Sequence, residues 1–135
     1  MNTERLTTKS RDAPTAAVRQ ALTNGNPNTE PEHLLHGLLL PPDNTVGTLL
    51  EATGADAAAV DAAAVAAIGK LPSTTGSSVT QPALSGSFAR VLATAETLAD
   101  ELGDDFVATE HLLIALARVV SAAQTVLTKA GVKAD

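Results

Sequence analysis

A contiguous Glu-His-Leu-Leu occurs twice in this chain, at Glu32–Leu35 and at Glu110–Leu113, 78 residues apart. Extending that offset aligns Ala13–Leu38 with Val91–Leu116. The other coincident positions are Ala17/Ala95, Ala21/Ala99, Gly25/Gly103 and Leu38/Leu116. Alanine and leucine coincide cheaply in a chain this rich in both, but a contiguous Glu-His-Leu-Leu does not. At an offset of 77 the match resumes with Thr48/Thr125, Leu50/Leu127 and Gly54/Gly131, which places one deletion in a loop. The chain therefore reads as a duplicated unit, which confines the fold to two copies of one supersecondary arrangement.

The unit is helical. Phe88, Val91, Leu92, Ala95, Leu98, Ala99 and Leu102 recur at three- and four-residue steps, one face of a long helix, and Glu96, Asp100 and Glu101 take the other. Runs of aromatic and β-branched residues that would signal strands are absent. The segment from Asp56 to Lys70 is dominated by alanine, with Asp56 placed as an N-cap and Pro72 beyond its end. Pro31 and Thr109 take equivalent places in the first turn of the Glu-His-Leu-Leu helices, where proline forfeits no intrahelical bond. Gly25 and Gly103 fall where the preceding long helix must stop and reverse, a conformation that favours positive φ.

Each copy then reads as a long helix, a glycine turn, a short helix opening at Glu-His-Leu-Leu, a second short helix ending before Gly54 or Gly131, and a fourth helix. Counterparts of Ala55–Lys70 would begin near Val132, so the last helix is expected to be truncated and the chain to be a fragment of something longer. The expected architecture is all-α, two pseudo-twofold-related four-helix repeats within one domain, 1–135. Repeat one covers about 1–71, the Pro/Gly/Ser/Thr-rich linker LPSTTGSSVTQP about 72–82, and repeat two about 83–135.

Charge and motifs narrow the function. A net charge of -6 would repel a phosphate backbone and an anionic membrane face, so neither nucleic acid nor membrane is an expected partner. The nearly apolar stretch Ala57–Ile68 falls short of the roughly 20 residues needed to cross a bilayer, and Met1–Arg11 lacks the apolar run of a signal peptide. A cytoplasmic protein is expected. There is no cysteine, hence no thiol nucleophile or disulfide, and no phosphate-cradling G-x-x-x-x-G-K-[ST] that would let the chain hydrolyse ATP alone. Glu32-His33-x-x-His36 has the wrong order for a zinc helix, and His36 aligns with Ile114, so no metal, cofactor or catalytic residue is expected. The acidic set Glu96, Asp100, Glu101, Asp104, Asp105 and Glu110 contains no intervening cation; beside an apolar groove such carboxylates could hold extended, basic and hydrophobic polypeptide.

The duplication and its motifs resemble the Clp N-terminal domain, the paired helical repeat that precedes the AAA+ ATPase modules of Clp chaperones. The residues that carry the resemblance are Arg5-Leu6-Thr7, Glu30-Pro31-Glu32-His33-Leu34-Leu35, the Leu71-Pro72 start of the linker, and Gly103-Asp104-Asp105-Phe106-Val107-Ala108-Thr109-Glu110-His111. The opening Arg-Leu-Thr, the long connector and the Pro-Glu-His-Leu form of the first copy are most similar to the ClpB disaggregase branch. The resemblance implies a non-catalytic module of the stress response. It would bind unfolded or aggregated polypeptide for an ATP-dependent hexamer of parent AAA+ modules, with adaptor proteins as further partners.

By the same resemblance Thr7, Asp104 and Glu110 are functionally important, and Leu92 matches a leucine of an apolar peptide groove. Two other groove leucines are replaced by Thr94 and His111. From the residues alone, Thr7 could equally be an N-cap and Glu110 could bond backbone N–H groups of its own helix. A ClpC-like alternative uses the duplicated Glu32 and Glu110 as receptors for phosphoarginine or adaptors, one ligand per copy, since a carboxylate matches a guanidinium fork. A stand-alone regulatory protein is a further alternative. Pro14 falls where the first helix should run, so either that helix starts late or the groove entrance is reshaped.

Overall fold

The computed structural model describes residues 6–40, 45–72 and 82–132; Arg5, the Pro41-Pro42 pair and most of the linker lie outside them. Seven helices are described: α1 Thr8–Thr23, α2 Pro31–Leu39, α3 Thr45–Ala52, α4 Ala57–Gly69, α5 Gly86–Glu101, α6 Thr109–Arg118 and α7 Ala122–Lys129. Two two-residue strands, β1 Asn28–Thr29 and β2 Ala83–Leu84, pair in parallel. Repeat one contributes α1 to α4 and repeat two α5 to α7; no counterpart of α4 is described.

Local chemistry sets the helix ends. The Asp56 carboxylate accepts the Ala58 N–H at 3.0 Å, Ser85 Oγ accepts the Phe88 N–H at 3.0 Å, and Ser121 Oγ accepts the Gln124 N–H at 3.3 Å. The long helices close on Gly25 and Gly103, at φ 71° and 75°, a left-handed conformation costly for any residue with a Cβ. Pro14 does not delay α1, which runs from Thr8 through it. Thr7 stands immediately before α1: its carbonyl accepts the Arg11 N–H at 3.0 Å, while its own N–H donates to the Val107 carbonyl at 3.1 Å.

The repeats are joined reciprocally. Leu6 of repeat one pairs with Val107 of repeat two, and Leu84 of repeat two pairs with Thr29 of repeat one. Each pair is the other displaced by 78. Likewise α3 packs on α6 as α7 packs on α2. Contacts in which i meets j′ and i′ meets j are the signature of a twofold relation. One core therefore runs across the axis, with Leu34, Leu35, Leu50 and Ala17 from one side and Phe88, Leu112, Leu116 and Ala95 from the other, all fully buried.

Thr29 shows where the duplication is imperfect. It is fully buried, and its hydroxyl has no hydrogen-bond partner, whereas the equivalent position is the fully buried Val107. A buried hydroxyl without a partner costs about 1–3 kcal/mol of desolvation that a methyl group of the same shape does not. Thr29→Val is expected to stabilise the fold by about 1 kcal/mol and raise the thermal midpoint by about 3–5 °C, measurable by calorimetry. A lowered midpoint would mean that the hydroxyl is satisfied in solution.

Candidate functional site

The two histidines of the repeated motif hold the helix starts. The Glu30 N–H donates to His33 Nδ1 at 2.8 Å, and the Ala108 N–H donates to His111 Nδ1 at 2.8 Å. With Nδ1 accepting, the neutral ring carries its proton on Nε2. His33 Nε2 donates to Asn26 Oδ1 at 3.0 Å, and His111 Nε2 to Asp104 Oδ2 at 2.9 Å. Asn26 also donates through Nδ2 to the Pro72 carbonyl at 2.9 Å, which a carboxylate could not do. The amide in repeat one therefore pins the start of the linker, while the acid in repeat two only accepts. His36 bonds Asp61 at 2.6 Å, so the two histidines considered for zinc are directed to separate partners. No group of three or more metal-ligating side chains occurs among the described residues.

Burial shifts two of these groups. It is the main reason that the His33 imidazole is held below its ordinary range, opposed by the nearby Glu30 charge and backbone bond. Burial likewise pushes the Glu32 carboxyl upward, against the lowering effect of its own backbone N–H, and the Glu30 charge adds to the rise.

Three clefts are lined by residues singled out in the sequence. The first, about 460 Å³, lies between α1 and α5 and holds Leu92 with Leu6, Pro14, Leu84 and Phe88. Thr15 and Glu96 complete its polar edge, but the Thr15 hydroxyl donates to the Arg11 carbonyl at 3.0 Å. Thr7 follows the cleft residue Leu6 in sequence, and its N–H is bonded to the Val107 carbonyl. The second cleft, about 470 Å³, lies between α4 and α7 and is lined by Glu32, Lys70 and Lys129 over an alanine-rich floor. The third, about 270 Å³, is lined by Glu110 with Leu49, Leu113, Ile114 and Val132.

The expected site residues are therefore dispersed. Leu92 faces the first cleft, Glu110 the third, and Asp104 bonds His111 on the turn before α6 with its side chain half exposed. Glu32 and Glu110 differ in setting, since Glu32 is 4% exposed and Glu110 lies on the surface. Thr94 and His111 do not line the first cleft, and His111 is buried in its own hydrogen-bond pair. Pro14 lines the cleft, as the alternative of a reshaped groove entrance has it, whereas Leu84 and Phe88 were missed as cleft residues. The repeat offset carries the signal for Pro14 and Leu84, because displacing Leu92 by 78 gives Pro14 and displacing Leu6 gives Leu84.

A family model described as the Clp repeat (R) N-terminal domain matches residues 5–130. The chaperone protein ClpB of Propionibacterium freudenreichii subsp. shermanii is 67% identical over 132 residues, covering 98% of this chain and 15% of that relative. The chain thus spans about 15% of the length of the curated relatives it matches. Among solved structures, the Hsp104 N-terminal domain from Candida albicans is similar with a TM-score of 0.80 and 20% identity, covering 96% of this chain and 84% of that one. A ClpV N-domain in complex with a VipB peptide is similar with a TM-score of 0.72 and 22% identity, covering 94% and 79%.

Proposed function

The chain belongs to the Clp repeat N-terminal domain family, and on that premise we propose that it is the substrate-binding module of a ClpB-type disaggregase. It holds unfolded or aggregated polypeptide in the cleft between α1 and α5 and delivers it to a hexameric AAA+ ATPase ring. The module is non-catalytic, and ATP turnover belongs to the ring. Its proposed setting is the cytoplasm, where an ATP-dependent ring would meet aggregated clients. Among the described residues no single helix is long and apolar enough to cross a membrane.

The observation that carries this reading is the apolar cleft at the junction of the repeats, whose wall includes Leu84, a large side chain left 49% exposed. Apolar side chains of an unfolded segment gain burial there, at about 25 cal/mol per Å² removed from water. The reading also agrees with the peptide complex of the structurally similar ClpV N-domain. Thr7 directly follows Leu6 of the cleft wall, and Asp104 and Glu110 are assigned to contacts with longer segments of polypeptide that pass beyond the cleft.

Leu84 supplies the cleanest test. Leu92 is only 8% exposed, so Leu92→Ala would remove core packing along with any peptide contact. Leu84→Asp changes a half-exposed position outside the core and should cost about 1 kcal/mol, less than truncating the buried Leu92. Anisotropy of labelled, unfolded casein is expected to show binding weakened about tenfold in Leu84→Asp. Unchanged affinity would refute the cleft as the polypeptide site.

A second reading has one observation in its favour. Lys70 and Lys129 line the cleft that contains Glu32, so a carboxylate for a guanidinium and ammonium groups for a phosphate share one depression. Among the described residues, the lining of the Glu110 cleft contains no lysine. A phosphoarginine receptor of this form would bind one ligand per chain rather than two, and a calorimetric titration with free phosphoarginine distinguishes those counts from no binding.

A further inference from the structure

The cleft between α1 and α5 straddles the pseudo-twofold axis, so much of its lining comes in equivalent pairs: Leu6 with Leu84, Pro14 with Leu92, Thr15 with Ala93, and Val18 with Glu96. An extended polypeptide has a direction. A fully symmetric groove would accept it either way, because a half-turn exchanges the two ends of the site. Direction can be selected only by what breaks the symmetry.

Most of the lining breaks it weakly. The Leu6/Leu84 and Pro14/Leu92 pairs are apolar on both sides, and the Thr15 hydroxyl is engaged with the Arg11 carbonyl. Phe88 and Ala89 line the cleft from α5 alone, since their equivalents Ser10 and Arg11 are not part of its lining; they break the symmetry in shape but offer no partner for a charge. The Val18/Glu96 pair differs in kind, with an apolar side chain on one side of the axis and a carboxylate on the other.

We propose that Glu96 fixes the direction in which polypeptide lies in the groove. It does so by holding a lysine or arginine side chain on the second-repeat side of the axis, while apolar side chains occupy the shared floor. This rests on the reading of the cleft as the polypeptide site. Glu96 is half-buried at the edge of an apolar surface, where a charge-assisted bond is stronger than in open water. Its two oxygens offer about four acceptor sites, more than a single partner fills. The net charge of -6 favours approach of the basic segments that this geometry selects.

The symmetry supplies its own test. The probe is a short leucine- and valine-rich peptide with one arginine near its N-terminus, carrying a nitroxide on that end. Paramagnetic broadening of amide signals in the isotope-labelled chain then reports which side of the axis the N-terminus occupies. With the native chain, broadening is expected around Ala93 and Glu96 and not around Thr15 and Val18. Moving the nitroxide to the C-terminus should exchange the two sets.

In the double variant Val18→Glu, Glu96→Val the side broadened by each peptide is expected to reverse. Both positions are only partly buried, so the exchange spares the core. In Glu96→Gln, broadening should become two-sided and affinity should fall about two- to fivefold. Two-sided broadening with the native chain, or an unchanged side in the double variant, overturns the proposal while leaving the groove in place. A peptide that binds equally well to Leu84→Asp overturns the groove reading itself, and with it this inference.

Discussion

Replacing His33 with alanine is expected to destabilise the fold by about 4 kcal/mol, the largest loss from any one side chain in the repeated motif. The ring is fully buried and both nitrogens are engaged, so truncation leaves a cavity, an Glu30 N–H without its acceptor and an Asn26 amide without its donor. Each unsatisfied buried group costs about 1–3 kcal/mol, and the lost packing adds to that. The disturbance also reaches the linker, because Asn26 is the residue that holds the Pro72 carbonyl. His111→Ala should cost less: Asp104 has half its side chain exposed and can rehydrate when its partner is removed. Urea denaturation of both variants measures the difference, and equal losses would show that the two histidines do the same work.

His33 also sets a pH dependence of definite sign. Its pKa is held below the ordinary 6.5 in the folded chain, so between 6.5 and that lowered value the unfolded chain binds a proton that the folded chain does not. The stabilisation is complete above 6.5 and is lost as the pH falls through the folded value. Protonation of Nδ1 would turn the acceptor of the Glu30 N–H into a donor, which is the structural form of the same cost. Glu32 acts in the opposite sense. Its pKa is raised above 4.5, so its burial costs stability at neutral pH, and that cost is relieved on acidification through the raised value. The urea midpoint of the native chain should fall between pH 7.5 and pH 6, with a smaller fall in His33→Gln.

The fold was legible in the sequence wherever one side chain announces a local backbone event. Asp56, Gly25 and Gly103 each do so, and the structure places a cap or a left-handed turn at each. The pairing of Asn28–Thr29 with Ala83–Leu84 was not legible, since two residues have no periodicity and the pairing is set by the dyad. Asp104 shows why the site was harder. Besides the binding role proposed for it, its carboxylate bonds His111 as Asn26 bonds His33. An alignment scored on identity passes over Asn opposite Asp, although both stand seven residues before the histidine they orient. For Pro14 the sequence left two alternatives, a late helix start or a reshaped groove entrance; α1 runs through it from Thr8, and Pro14 lines the groove at the position equivalent to Leu92.

Gly37→Ala is expected to destabilise the chain by about 2 kcal/mol, against the sense of helix propensity. Gly37 lies within α2, where alanine would ordinarily gain up to about 1 kcal/mol. A Cβ built at that position would stand 2.8 Å from the Ala13 carbonyl oxygen and 3.5 Å from the Ala16 Cβ. The closer atom belongs to the backbone of α1 and cannot rotate away, so the helices must separate. The equivalent position on α6 is Ala115, fully buried, so repeat two accommodates the methyl group that repeat one excludes. The consequence extends to function, because Ala13 precedes Pro14, and Pro14, Thr15 and Val18 carry one wall of the groove. A shift of α1 away from α2 therefore moves that wall toward or across the polypeptide site. Gly37→Ala should lower both the urea midpoint and the casein affinity, whereas Gly69→Ala, with nothing within 4 Å of its Cβ, should lower neither. A raised midpoint in Gly37→Ala would show that α1 yields without cost.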